Sequence, residues 1–282
     1  MSVKILIDSA SDLNKEEAKK LDVELLPIKV QFGDEEYLDG FNLFPTEFYE
    51  KLSHSKDLPK TSLINEYQFE EKFKELTSDG SEIIVITLSS KLSGTHHCAV
   101  EASKKYDNKV FVVDSLNATM GEKVLALYAM KLVQDGLSAK EIVAMLEEKK
   151  SKINVVAVVD TLKYLKMGGR VSAATAFVGE MLSIKPLIAV IDGEVKVWGK
   201  THGLKKAFIA INDKVKAKGG IDFNMPYGLI WSGNDDSNIK AYYEKSRELW
   251  ENKLTEMPTY PIGSTIGAHV GPGAIGIVFF EK

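Results

Sequence analysis

Hydrophobic and polar positions follow two regimes along this chain. The apolar run Val3 to Ile7 stops at Asp8-Ser9-Ala10-Ser11-Asp12, and a helical pattern follows from Asn14 to Leu21. Val23 to Val30 is a second apolar run, and Gln31 to Gly40, with Gly33-Asp34 inside, reads as a hairpin or loop. Thr46 to Leu52 and Asn65 to Leu76 are helical; Phe69, Phe73 and Leu76 fall on one face. Glu82 to Leu88 and Lys109 to Val113 are Ile/Val-rich strands, followed by helices near 94–106 and 121–134. Ser138 to Lys150 is a further helix, with Ser138 and Glu141 spaced as a capping box. Strands separated by helices predict a parallel sheet covered on both faces. Ligands then bind where loops leave the strands' carboxyl ends, here after Ile7, Leu88 and Val113.

The second half differs. Asn154 to Val159 is a strand, Leu162 to Met167 is helix-like and ends at Gly168-Gly169, and Ala173 to Leu182 is helical. Asp192-Gly193 between Leu187–Ile191 and Glu194–Trp198 predicts a tight hairpin. Helices over 203–218 and 238–254 and strands at Tyr227–Trp231, near Thr259 and at Ile275–Phe280 complete the pattern. The reading is an α/β protein: a parallel-sheet domain over 1–152 and a mixed α+β domain over 153–282, touching over a large face.

Composition narrows the function. With 44% apolar and 27% charged residues in 282, the chain is neither disordered nor fibrous. A net charge of −4 argues against a nucleic-acid partner. The lone Cys98 makes no internal disulfide. His96 and His97 are adjacent rather than i, i+4, so no metal is expected. The short apolar start and the lack of a long apolar stretch predict a cytoplasmic protein without signal peptide or membrane span.

Gly271-Pro272-Gly273-Ala274-Ile275-Gly276 matches a dinucleotide fingerprint in letters, but a strand follows it instead of a helix, so it reads as a tight turn. In Asp8 to Asp12, Ala10 stands where an aspartyl-phosphate site wants a second Asp, leaving a helix start capped by Ser11 or Asp12. Lys60-Thr61-Ser62 and Ser89 to Thr95 are hydroxyl-rich segments at or near helix starts, where free amides favour anions and Ser93-Gly94 permits close approach. His269, in a glycine-rich turn, is either a donor to an anion, a base or a surface residue. Arg170 follows Gly168-Gly169 and is one of only two arginines, so a planar fork is required there or an ordinary ion pair forms. A serine esterase or thioesterase with Ser93 as nucleophile and His269 as base is the alternative reading, although no G-x-S-x-G elbow surrounds any serine.

Asp8 to Leu13, Lys60-Thr61-Ser62, Leu92 to Thr95, Val113-Asp114-Ser115, Leu162 to Ser172, Ile184-Lys185-Pro186 and His269 to Gly273, taken in order, resemble the DegV family of fatty-acid-binding proteins over essentially the whole chain. The resemblance implies two α/β domains with an acyl tunnel between them. It also implies a non-catalytic, lipid-presenting subunit of a bacterial fatty acid kinase, whose separate ATP-binding subunit phosphorylates the carboxyl group. Thr61, Ser93 and Gly94 would hold the carboxylate, with His269 nearby, while Arg170 and the position of His202 would face the kinase. The implied ligand is a long-chain fatty acid with no cofactor, and there is room for transient membrane contact. The chain departs from the family at Leu63-Ile64-Asn65, where Pro is common, at His202, where Arg is common, and at His96, where Tyr is common.

Burying about 15 methylenes at roughly 0.8 kcal/mol each releases on the order of 12 kcal/mol gross. Losses of chain and translational freedom take back several kcal/mol of it. Neutral donors therefore suffice for the head group. Ala173 to Leu182 and Phe279 are the candidate tunnel walls.

Overall fold

The computed structural model describes residues 2–171, 183–250 and 258–282. The strands are β1 (Val3–Asp8), β2 (Glu24–Leu26), β3 (Lys29–Phe32), β4 (Glu35–Leu38), β5 (Lys60–Ser62), β6 (Glu82–Thr87), β7 (Val110–Asp114), β8 (Ile153–Val158), β9 (Ile184–Ile191), β10 (Glu194–His202), β11 (Gly228–Trp231), β12 (Thr259–Pro261) and β13 (Ile275–Phe280). The helices are α1 (Lys15–Lys20), α2 (Pro45–His54), α3 (Glu66–Leu76), α4 (Thr95–Ser103), α5 (Met120–Gln134), α6 (Ala139–Lys149), α7 (Lys163–Met167), α8 (Leu204–Ala217), α9 (Ser237–Lys245) and α10 (Ser264–Val270). The helix expected over 173–182 lies outside the described residues.

The protein is an α/β fold. One sheet, in the order β2-β1-β6-β7, is wholly parallel. A second, in the order β10-β9-β8-β13-β11-β12, is mixed: every neighbour is antiparallel except β11 and β12. A small antiparallel sheet, β4-β3-β5, stands apart. Strand alternation builds the layers, because successive side chains point to opposite faces. On β1 and β6, Leu6, Ile83 and Val85 join the aromatic face of α3, while Ile5, Ile7, Ile84 and Ile86 face α5 and α6. On β13, Val278 and Phe280 reach that same central core, so α5 is sandwiched between the two large sheets. Ile275, Ile277 and Phe279 point the other way, into the core beneath α8 and α9. Phe279, expected as a tunnel wall, packs in the core beneath α8 and α9, because its parity on β13 puts it on the face away from α5.

Local signals account for most element ends. Ser138 and Glu141 form the expected reciprocal cap of α6, and Asn65 with Gln68 does the same for α3. Asp192 (φ 53°) and Gly193 (φ 82°) make the β9–β10 turn left-handed, as a two-residue hairpin requires. Other expectations are corrected. Asn14, with Glu17, caps α1 in place of Ser11 or Asp12. Asp12 is instead left-handed at φ 62°, after a single 3₁₀ turn over Ser9–Ser11 that Asp8 caps. The apolar run 23–30 splits into β2 and β3, which belong to different sheets. Lys60-Thr61-Ser62 is an edge strand paired with β3 rather than a helix start. His269, expected in a glycine-rich turn, lies in the last turn of α10.

Candidate functional site

Strand and helix ends converge at the carboxyl side of the parallel sheet. Asp8 ends β1 and is buried; its carboxylate accepts from the amides of Ala10 (2.9 Å) and Leu88 (2.9 Å), tying the loops after β1 and β6 together. In the second loop the hydroxyls have separate duties. Buried Ser89 donates to the carbonyl of Gly193 at the tip of the β9–β10 hairpin (2.7 Å). Ser93 lies farther along, beside Gly94, the N-cap of α4.

A cavity of about 230 Å³ opens here. One water takes about 30 Å³, so the space suits an organic ligand. Thr61, Ser93, Gly94, Arg170 and His269 all line it, together with apolar residues such as Ile28, Leu88, Leu165 and Val270. The fold thus gathers residues 61, 93, 94, 170 and 269 into one wall. His202 is not among them; it is exposed at the end of β10.

His269 Nε2 lies 2.9 Å from Thr61 Oγ1. The other ring nitrogen, Nδ1, is buried without a hydrogen-bond partner. It packs against Gly168, where a Cβ would come within 2.4 Å of it. A buried orphan N–H is rarer than a buried orphan acceptor, so the ring's proton is assigned to Nε2. Nε2–H then donates to Thr61 Oγ1, and the threonine's own proton is free for the cavity. Burial, with the nearby Arg170 charge second, pushes the His269 pKa down to about 4, so the ring is neutral at pH 7. Ser93 is arranged alike. Its Oγ accepts from the Thr95 amide (3.2 Å) and lies 3.0 Å from Thr95 Oγ1, which itself accepts from the Ile64 amide (3.3 Å). With His269 donating to Thr61 and the Thr95 amide donating to Ser93, both hydroxyls can turn a proton toward an anionic oxygen.

The serine-hydrolase geometry is not assembled. Nε2 faces Thr61, not Ser93, and Nδ1 meets the Gly168 backbone instead of an orienting carboxylate. Arg170 was expected on an exposed, partner-facing surface after the helix end. It is half-buried in the cavity wall, its Nε donating to the Leu92 carbonyl (3.2 Å) and its Nη1 to the Gly168 carbonyl. Gly169 is left-handed (φ 71°), and the Arg170 amide bonds back to the Leu165 carbonyl (3.0 Å), ending the helix just before the arginine. The pocket therefore carries a cation in addition to its neutral donors. Among the described residues no cluster of His, Cys, Asp and Glu could hold a metal, and no helix is long and apolar enough to cross a membrane.

The sequence reading missed Thr265, which lines the cavity one helical turn before His269. The i, i+4 pair was legible, but Gly263 and Gly267 masked α10, since glycine disfavours helix. It also missed Gly168 as the residue that gives His269 its space.

A family model described as "Uncharacterised protein, DegV family" matches residues 2–282. A DegV domain-containing protein of Caldanaerobacter subterraneus subsp. tengcongensis is 34% identical, with 99% of each chain covered. One from Clostridium perfringens is 34% identical, covering 98% of this chain and 96% of its own. Among solved structures, a DegV family protein from Thermus thermophilus, described by its fatty acid binding, superposes with a TM-score of 0.89 at 28% identity over 100% of both chains. DegV of Bacillus subtilis, described as a fatty acid binding protein, gives 0.84 at 27% identity, again over 100% of both. A stearic acid-binding protein from Eubacterium ventriosum gives 0.83 at 26%, over 100% of this chain and 99% of its own. With its fold and its whole length matched in this way, the chain belongs to the DegV family.

Proposed function

We propose that this protein binds a long-chain fatty acid, with the carboxylate held by Thr61 and Ser93 and the acyl chain in the space between the domains 1–152 and 153–282. The observation that carries this reading is that Thr61, hydrogen-bonded to His269, and Ser93, whose hydroxyl accepts from the Thr95 amide, line one cavity beside Arg170. A buried carboxylate without such donors is very costly. Gly94 lets the ligand approach the start of α4, and the neutral His269 fixes the Thr61 hydroxyl instead of contributing charge. Solved relatives described as fatty-acid-binding proteins support the ligand class.

The protein is then a carrier without chemistry of its own, needing no cofactor. Its partner is a separate ATP-dependent kinase subunit that acts on the presented carboxyl group, with Arg170 at the head-group end and exposed His202 toward that partner. The family resemblance and the position of Arg170 beside the donors support this second step. Denaturing extraction of purified protein followed by mass spectrometry tests the first. Stoichiometric long-chain acid is expected; a fluorophosphonate probe that labels Ser93 in lipid-free protein would favour the esterase reading instead.

A further inference from the structure

We infer that Asp12 and Asp39, which do not line the cavity, are positioning residues for the head-group site, acting through α10. That helix has seven residues, too few to be stable alone. Its N-terminal amides are taken by two buried or nearly buried carboxylates from the other half of the chain. Asp39 accepts from the amides of Ser264 (3.0 Å) and Thr265 (3.1 Å). Asp12 accepts from the amide of Gly263 (2.9 Å) and from the Thr119 hydroxyl. Gly263 makes room for both: a Cβ there would lie 3.1 Å from the Asp12 carboxylate and 3.4 Å from that of Asp39.

The remaining contacts fix the helix along its length. The Tyr49 hydroxyl donates to the carbonyl of Ile262 (3.1 Å), and Gly267 packs so closely on α2 that a Cβ would reach Phe48 at 2.7 Å. One turn beyond Thr265, the same helix face delivers His269 to Thr61. Two carboxylates buried near one another repel and lose hydration, whereas a serine or asparagine cap would satisfy the amides at lower cost. What the pair adds is a rigid two-point grip between halves of the chain. It sets where the imidazole sits, and through it which way the Thr61 hydroxyl points.

This inference rests on the fatty-acid reading for its affinity arm only. The test uses ligand-free full-length protein, wild type and with Asp12→Asn or Asp39→Asn. Each substitution keeps the shape and replaces one acceptor by a donor. Imidazole NMR signals of His269 are recorded beside Kd for saturated acids of several chain lengths. Expected are shifted His269 signals and a Kd raised about tenfold, by the same factor for every chain length, because only the head-group end is disturbed. If a variant does not fold, Thr119→Val exchanges just the hydroxyl on Asp12 for a methyl, and Thr119→Ser keeps the hydroxyl; signals and affinity should change in the first and stay in the second. A folded variant with lowered Tm but unchanged His269 signals would overturn the inference. So would a loss of affinity that grows with chain length. Failure of the wild type to bind any acid would refute the fatty-acid reading alone, leaving the NMR arm to decide the role of α10.

Discussion

Gly168 and Gly169 are adjacent, yet they should fail for different reasons when given a side chain. A Cβ on Gly168 would lie 2.4 Å from His269 Nδ1, 3.1 Å from its Cε1 and 3.2 Å from the Tyr164 carbonyl. An ordinary contact needs about 1 Å more than the first of these, and the ring has nowhere to give without leaving Thr61. The 2.9 Å hydrogen bond to Thr61 Oγ1 is then broken or badly bent. Overpacking costs about 1–3 kcal/mol, and the lost bond adds about 1 kcal/mol. Gly168→Ala should therefore destabilise the protein by roughly 2–4 kcal/mol and weaken fatty-acid binding. Gly169→Ala meets no atom within 4 Å, but it forces alanine to φ +71°. Its penalty is backbone strain alone, about 1–2 kcal/mol, with His269 undisturbed and affinity near wild type. Urea unfolding beside titration with a fluorescent fatty acid separates the two. If Gly168→Ala binds as well as Gly169→Ala, His269 does not govern the head-group site, and the reasoning here is wrong.

Thr61→Ala and Ser93→Ala should each weaken binding by about 1–3 kcal/mol, the worth of one hydrogen bond to a charged group; unchanged affinity in both would remove them from the site. With the proposed kinase subunit, Arg170→Ala should reduce acyl-phosphate formation, and Arg170→Lys should recover little, since the fork that reaches the Leu92 and Gly168 carbonyls is lost. Normal turnover of bound acid by Arg170→Ala would make the residue structural. Burial pushes Asp8 and Asp12 from the ordinary 3.8 up to about 7, and raises Glu122 as well. The folded state thus binds more protons than the unfolded one, and stability is lost as pH rises through 7. His269 acts oppositely, but its contribution is lost only as pH falls from 6.5 toward 4. The urea midpoint should consequently be higher at pH 6.5 than at pH 8; a flat or reversed trend would show the aspartates to be ionised throughout. Relative to wild type, Asp12→Asn should flatten that slope.

Local sequence determined most of the elements. The capping box at Ser138 and Glu141, the Asp192-Gly193 turn and the apolar runs at 82–88 and 275–280 each depend on neighbours in the chain, so they are readable without it being folded. Residue type also marked Thr61, Ser93, Gly94, Arg170 and His269, and the fold brings these five to one cavity. Tertiary structure decided how they work. Thr61 and His269 are 208 positions apart, and no periodicity predicts that one nitrogen of the ring meets that hydroxyl. The helix carrying His269 was hidden because its caps are not its neighbours: Asp12 and Asp39 lie more than two hundred residues upstream. Parity along β13, fixed only once both sheets had chosen their faces, put Phe279 on the face away from α5. Arg170 turned inward for a comparable reason, since its carbonyl partners include Leu92 from the other half of the chain. Short-range rules see chemistry that is close in sequence, whereas this cavity is built from backbone groups and side chains that only become neighbours when the central α5 is closed between two sheets.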